Sequence, residues 1–167
     1  MTNSPSGWRQ ARAILQLPFV VTVVVPACVL LLEGAPRLAP WPGWLLGLPL
    51  ALAGFALMAT TIRFFARSGE GTLAPWDPTR RLVVAGPYRH VRNPMITGVF
   101  AVLLGESLVF RSAGLFLWFG TFVAINLVYI PLVETPALRA RFGADYDEYA
   151  ANVPAWIPRR TPWEPPR

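Results

Sequence analysis

The chain has 167 residues, is 54% hydrophobic and 14% charged, and carries a net charge of +6 with Arg as its basic residue throughout. Soluble domains run at about 25% charged residues, so this composition, with a mean hydropathy of +0.43, excludes an ordinary soluble domain and points to a bilayer. Its positive charge does not signal nucleic acid, because the Arg residues flank apolar runs and form no single basic face.

In chain order, Arg9 and Arg12 precede the apolar run Ile14–Leu32. A span needs about 20 residues, and this run is longer than the core of a cleaved signal. It is read as an uncleaved first span, with Cys28, the single cysteine, as a small buried residue inside it. One cysteine permits no disulfide within the chain, and no metal-ligand cluster is visible. Trp44–Ile62 reads as the second span. Residues 63–93 then form a polar connection. Its part Ser68–Tyr88 is loop by composition, with Pro75, Asp77-Pro78 and Gly86-Pro87 as punctuation, and Leu82-Val83-Val84 as a short extended piece.

Pro94–Phe110 and Ala113–Val133 are the third and fourth apolar segments. Only Arg111-Ser112 separates them, which predicts a tight antiparallel helical hairpin. Gly98 and Gly105 lie near one face of the third span, where another helix or a flat ligand can approach closely. Glu106 is a carboxylate within that span, facing a partner or cavity or pairing with Arg111 one turn on. In the tail, residues 134–167, Leu138, Phe142, Tyr146, Tyr149 and Val153 recur at helical spacing. They predict one amphipathic helix on the membrane surface, weakened at Gly143 and ended by Pro154, with Thr161–Arg167 frayed. The fold class is therefore all-α integral membrane: four transmembrane helices, a cytoplasmic loop and an amphipathic C-terminal helix, in a single domain over 1–167. Every Arg except Arg37 and Arg111 falls on one side of these spans. That places both termini and the middle loop in the cytoplasm.

The polar motifs collect on that cytoplasmic face. Pro94 suits the first turn of the third span, and Asn93 stands at its N-cap. The helix N-terminus attracts anions. Arg89 and Arg92 add positive charge, and His90 adds a donor or acceptor. The hairpin brings Glu134, at the cytoplasmic end of span four, beside Arg92 and Asn93. Arg141, Tyr146 and Tyr149 follow close behind.

The stretch Gly86-Pro87-Tyr88-Arg89-His90-Val91-Arg92-Asn93-Pro94-Met95, with Gly98 three residues on, resembles the isoprenylcysteine carboxyl methyltransferase and phospholipid methyltransferase superfamily of membrane enzymes. Glu134, Leu138, Arg141-Phe142-Gly143, Tyr146, Tyr149, Val153-Pro154 and Ile157-Pro158-Arg159 look like its C-terminal signature. Gly71-Thr72, Pro75 and Asp77-Pro78 look like its preceding loop. Arg92-Asn93-Pro94 stands where the isoprenylcysteine enzymes have Arg-His-Pro, Ile96 where they have Tyr, and Thr135 where they have a second Glu. This is the form of the bacterial branch, whose acceptors are diverse. The resemblance implies methyl transfer from S-adenosylmethionine to a lipid or lipophilic acceptor (carboxylate, amine or thiol) that enters from the bilayer. It implies that Tyr88, His90, Val91, Asn93, Pro94, Met95 and Gly98 line the cofactor site, that Arg141, Tyr146 and Tyr149 close it, and that Arg92 and Glu134 are catalytic. The alternatives are a non-catalytic membrane protein that keeps the fold and an NADPH-dependent membrane reductase, although no glycine-rich dinucleotide loop is visible.

Overall fold

The computed structural model describes residues 17–34, 42–68 and 82–165. These residues form helices and contain no strand, so the extended piece expected at Leu82–Val84 is irregular chain. The helices are α1 (Leu17–Leu32), α2 (Gly43–Ser68), α3 (Pro94–Phe110), α4 (Ala113–Phe142) and α5 (Ala144–Asn152). Among them α2, over Gly43–Phe64, and α4 are long and apolar enough to cross a bilayer, with mean hydropathies of 2.0 and 1.9. α1 and α3 are apolar but shorter, α3 having 17 residues. Arg9, Arg12, Arg37 and the loop positions Gly71, Thr72, Pro75, Asp77 and Pro78 lie outside the described residues.

The bundle is organised by a seam of glycines between α2 and α3. Gly47 and Gly54 are seven apart on α2, and Gly98 and Gly105 are seven apart on α3. Two helical turns separate the members of each pair, so both pairs lie along one line of their helix. Antiparallel packing sets Gly54 against Gly98 and Gly47 against Gly105. A methyl group built on Gly54 would stand 2.5 Å from the carbonyl oxygen of Gly98, and one on Gly47 would stand 2.6 Å from that of Gly105. Backbones approach this closely only where no side chain intervenes, and in a bilayer such close packing drives helix association. Met58, Val99, Val102 and Leu103 form the buried cluster beside the seam.

Two helices widen into a π-helical turn, and both turns sit one residue short of a proline. In α1 the turn spans Val20–Val24, and the Val25 N–H bonds Val20 O, five residues back. The next residue, Pro26, has no N–H to continue that register. The carbonyl of Val21 is therefore left without a helical donor, and the indole Nε1 of Trp118 on α4 donates to it at 3.1 Å. In α4 the turn spans Ile130–Glu134, Thr135 N–H bonds Ile130 O, and Pro136 follows. The Trp118 bond ties α1 to α4. Replacing Trp118 by Phe keeps the ring and removes the donor. This change should cost about 1 kcal/mol of stability, read as a lowered unfolding midpoint in detergent; an unchanged midpoint would show that the carbonyl needs no partner.

The hairpin turns where the sequence places it. Arg111 takes a left-handed conformation (φ 48) that ends α3. Ser112 caps α4 by accepting from Leu115 N–H at 2.9 Å. Glu33, just past α1, accepts from Gly114 N–H at 2.6 Å. A bond with the Ser112 side chain, and after it the Gly114 bond, hold its carboxyl below the usual range. Glu106 does not pair with Arg111. Among the described residues its Oε2 is buried without a partner, and the ion pairs join Arg89 to Glu164 and Arg139 to Asp147. Cys28, expected to be buried, is exposed on α1.

The tail departs most from its sequence reading. α4 does not stop at Val133 but runs on to Phe142, so Glu134 lies within a helix. Gly143 breaks the expected single amphipathic helix. Its φ of 57 and ψ of −131 belong to a region only glycine occupies readily. The apolar stripe is covered by other parts of the chain. Tyr146, Tyr149 and Val153 are buried, with Leu138, Phe142, Leu82, Val84 and Trp163 packed on them. Trp163, in the stretch expected to fray, is part of this cluster.

Candidate functional site: a charged cleft where α3 begins

Residues 86–93 reach α3 through a short 3-10 turn, Gly86–Arg89. The chain after α5 then runs back along them, antiparallel, as a strap. Arg92 N–H bonds Pro154 O, Arg159 N–H bonds His90 O and Trp163 N–H bonds Arg89 O, each at 2.9 Å. Side chains add to the ladder. Arg89 Nε donates to Trp163 O, and Thr97 Oγ1 to Trp156 O at 3.3 Å. Trp156 lies over Phe100 with ring centroids 5.3 Å apart.

One cleft lies where the start of α3, the π-helical turn of α4, α5 and the strap meet. Its volume is about 90 Å³, and it is lined by Arg92, Asn93, Ile130, Pro131, Glu134, Thr135, Leu138, Tyr146, Ala155 and Trp156. Arg92 Nη1 is 3.5 Å from the Tyr146 hydroxyl, and Arg92 Nε is buried with no partner among the described residues. Such an orphaned donor is rare in a folded chain and needs a reason. A cation and a carboxylate thus share one small, mostly apolar space.

The motif divides between this cleft and another. Arg89, His90 and Val91 line a larger, open cavity of about 540 Å³ with Leu57, Thr60, Gly86, Pro87, Pro158 and Pro162. His90 Nδ1 is 2.9 Å from the carbonyl of Arg159. A carbonyl only accepts, so that nitrogen carries the proton.

Of the residues expected at the site, Arg92, Asn93, Glu134 and Tyr146 come together in the small cleft. Asn93 occupies the N-cap position, but its side chain does not cap. It donates to Ala155 O at 3.2 Å and so binds the strap. Pro94 is buried in the first turn of α3, and Met95 is half-buried without lining either cavity. The Cβ face of Gly98 is turned to α2, against Gly54 and Met58, which is the helix-packing use of that glycine. Arg141 is exposed and lies over the ring of Phe142 at 5.3 Å. Tyr149 is core, and its hydroxyl donates to Tyr88 O at 2.8 Å. Burial pushes the Tyr88 phenol up, and the nearby Tyr149 and Glu134 push it further. Burial also raises Tyr149 against the opposing pull of Arg92. Both phenols are neutral near pH 7.

Ile130, Pro131, Thr135, Ala155 and Trp156 line the cleft without being expected at the site from the sequence. The first three lie on one helical face with Glu134 and Leu138, so helical spacing about Glu134 finds them once the helix is known to pass Val133. No periodicity announces the strap.

These features define an all-helical protein with two helices apolar enough to cross a bilayer and a small cleft of opposed charges at one end of its bundle. The family model described as phospholipid methyltransferase matches residues 43–145, and the chain belongs to that family of membrane methyltransferases. The match spans Arg92, Glu134 and Arg141 and stops before Tyr146 and the strap. No curated protein and no solved structure matches the chain.

Proposed function

We propose that the protein is an integral membrane methyltransferase that moves a methyl group from S-adenosylmethionine to a lipid or lipophilic acceptor. The observation that carries this reading is the meeting of Arg92 and Glu134 in one cleft, with Arg92 Nε buried and unpartnered. When bound, S-adenosylmethionine supplies an electrophilic methyl group and needs no metal to activate it.

The residues present fit that group at its amino-acid end. Arg92 suits a carboxylate, with donors arranged for it. Glu134 suits an ammonium. Tyr146, with its hydroxyl 3.5 Å from Arg92 Nη1, would help to hold that side chain. A cleft of about 90 Å³ holds an amino-acid end, whereas small-molecule sites usually have 300 Å³ or more. Ala155 and Trp156 of the strap therefore have to yield to admit a nucleoside. Of the two candidate bases, Glu134 is on the cleft and His90 on the other cavity. An amine or thiol acceptor would lose its proton to Glu134. An acceptor carboxylate needs no base, and Arg92 or Arg141 would orient it. Tyr88, Val91, Pro94, Met95, Gly98 and Tyr149 lie off the cleft lining and would bear on it only through packing, and catalysis is mostly positioning and exclusion of water.

In this reading all four apolar helices span, the short α1 and α3 with the charged ends of their neighbours at the interfaces. Both termini face the cytoplasm of a bacterial inner membrane, and the acceptor arrives within the bilayer. Tritium transfer tests the reading. Purified protein with labelled S-adenosylmethionine and a bacterial lipid extract should yield a labelled lipid. The product should be absent when Arg92 and Glu134 are both alanine. No lipid label, together with no binding of S-adenosylhomocysteine at millimolar concentration, would overturn it.

A further inference from the structure

In each π-helical turn the carbonyl five residues before the proline has no helical donor, and the two are treated differently. In α1 the orphan is Val21 O, and Trp118 serves it. In α4 the same register recurs. Thr135 N–H bonds Ile130 O, and Pro136 has no N–H, so the helix supplies no donor to the carbonyl of Pro131. Pro131, Glu134 and Thr135 all line the cleft that holds Arg92. A widened turn of this kind leaves a backbone acceptor beside a carboxylate, in a place where helices are often modified for function.

We propose that the Pro131 carbonyl is a built-in acceptor of the cleft and that, with the Glu134 carboxylate, it holds the ammonium of the cofactor's amino-acid end. This rests on the S-adenosylmethionine reading above. An ammonium has three donors and no acceptor, so a carboxylate alone leaves it under-satisfied in a cleft of about 90 Å³. A neutral carbonyl beside Glu134 completes the set, and Arg92 takes the carboxylate of the same ligand. Pro136 is then a positioning residue: it acts by keeping an N–H away from Pro131 O.

The variant Pro136→Ala restores that N–H and lets the helix close on the orphan. Binding of S-adenosylhomocysteine and of its deaminated analogue is measured by titration on the full chain in detergent. Pro136→Ala should weaken S-adenosylhomocysteine about tenfold, as for loss of one hydrogen bond to a charged group. It should leave the deaminated analogue within about twofold. Pro26→Ala, the same change in the turn that Trp118 serves, should alter neither ligand. Pro136→Leu carries the same restored N–H and replaces the alanine variant should that one fail to fold. Unchanged binding of S-adenosylhomocysteine, or an equal loss for both ligands, overturns the proposal. Failure of the unmodified protein to bind S-adenosylhomocysteine is a different result, and it removes the cofactor reading itself.

Discussion

Replacing Arg92 by alanine should lower methyl transfer about 150- to 5000-fold and leave the fold in place. The side chain is half-buried, its Nε has no partner among the described residues, and its one described side-chain contact is a long one to Tyr146. It therefore contributes little to the folded state in return for its desolvation. Its value appears when an anionic group enters the cleft. Truncating one partner of a buried, hydrogen-bonded charge pair costs about 3–5 kcal/mol, and each 1.36 kcal/mol is tenfold in rate. The loss should fall chiefly on cofactor affinity, so rates are measured across S-adenosylmethionine concentrations. Arg92→Lys should recover only part, because an ammonium cannot reproduce the planar fork. Glu134→Gln, which keeps the shape and removes the charge, should weaken the same ligand by a similar route. A folded Arg92→Ala protein within threefold of full activity would show that the charge pair is not the site.

The topology that makes this cleft is readable in the residues. Arg111-Ser112 is too short for anything but a hairpin, and a hairpin must return the far end of α4 to the start of α3. Glu134 therefore meets Arg92 and Asn93 whatever the details, and the cleft contains all three. The helix ends were less legible. Val133 looks like a stop because the apolar run gives way to Glu134, Arg139 and Arg141, yet backbone hydrogen bonding continues past a change in solvent. Only Gly143, with its positive φ, interrupts it.

The tail departs from its sequence pattern for a related reason. Leu138, Phe142, Tyr146, Tyr149 and Val153 do form one apolar set, but helical spacing cannot say what covers that set. Leu82, Val84 and Trp163 cover it, and they come from segments without periodicity of their own. The strap is held by main-chain bonds such as Arg159 N–H to His90 O, which no side-chain pattern encodes. Asn93 shows the same limit. Its capping position is correct, and the strap takes its side chain instead.

Gly54→Ala should be the most damaging conservative change in the bundle. The seven-residue spacing of Gly47 with Gly54 and of Gly98 with Gly105 is visible in the sequence; that the two pairs face each other is not, because small residues can serve contacts within one chain or between copies. The structure sets Gly54 against Gly98 so closely that the added methyl would stand 2.5 Å from a carbonyl oxygen and 2.8 Å from the Val102 nitrogen. Both obstacles are backbone, so neither can rotate aside as a side chain would. The helices must part, and the close packing that holds α2 to α3 is lost along the seam. Forcing atoms into a filled interior typically costs 1–3 kcal/mol and occasionally more, and a backbone clash belongs at the upper end, about 3 kcal/mol. Gly120→Ala is the matched control. Gly120 is exposed on α4 with nothing within 4 Å of a built methyl, so alanine there should stabilise the helix by up to about 1 kcal/mol. Thermal unfolding in detergent separates the two: a midpoint lowered by several degrees for Gly54→Ala, and unchanged or raised for Gly120→Ala. The seam also positions the site, since α3 carries Arg92 and Asn93 at its start. Gly54→Ala should therefore weaken S-adenosylhomocysteine binding even below its unfolding temperature, although residue 54 lies outside the cleft. A variant as stable as the parent would mean that α2 and α3 do not meet along these glycines.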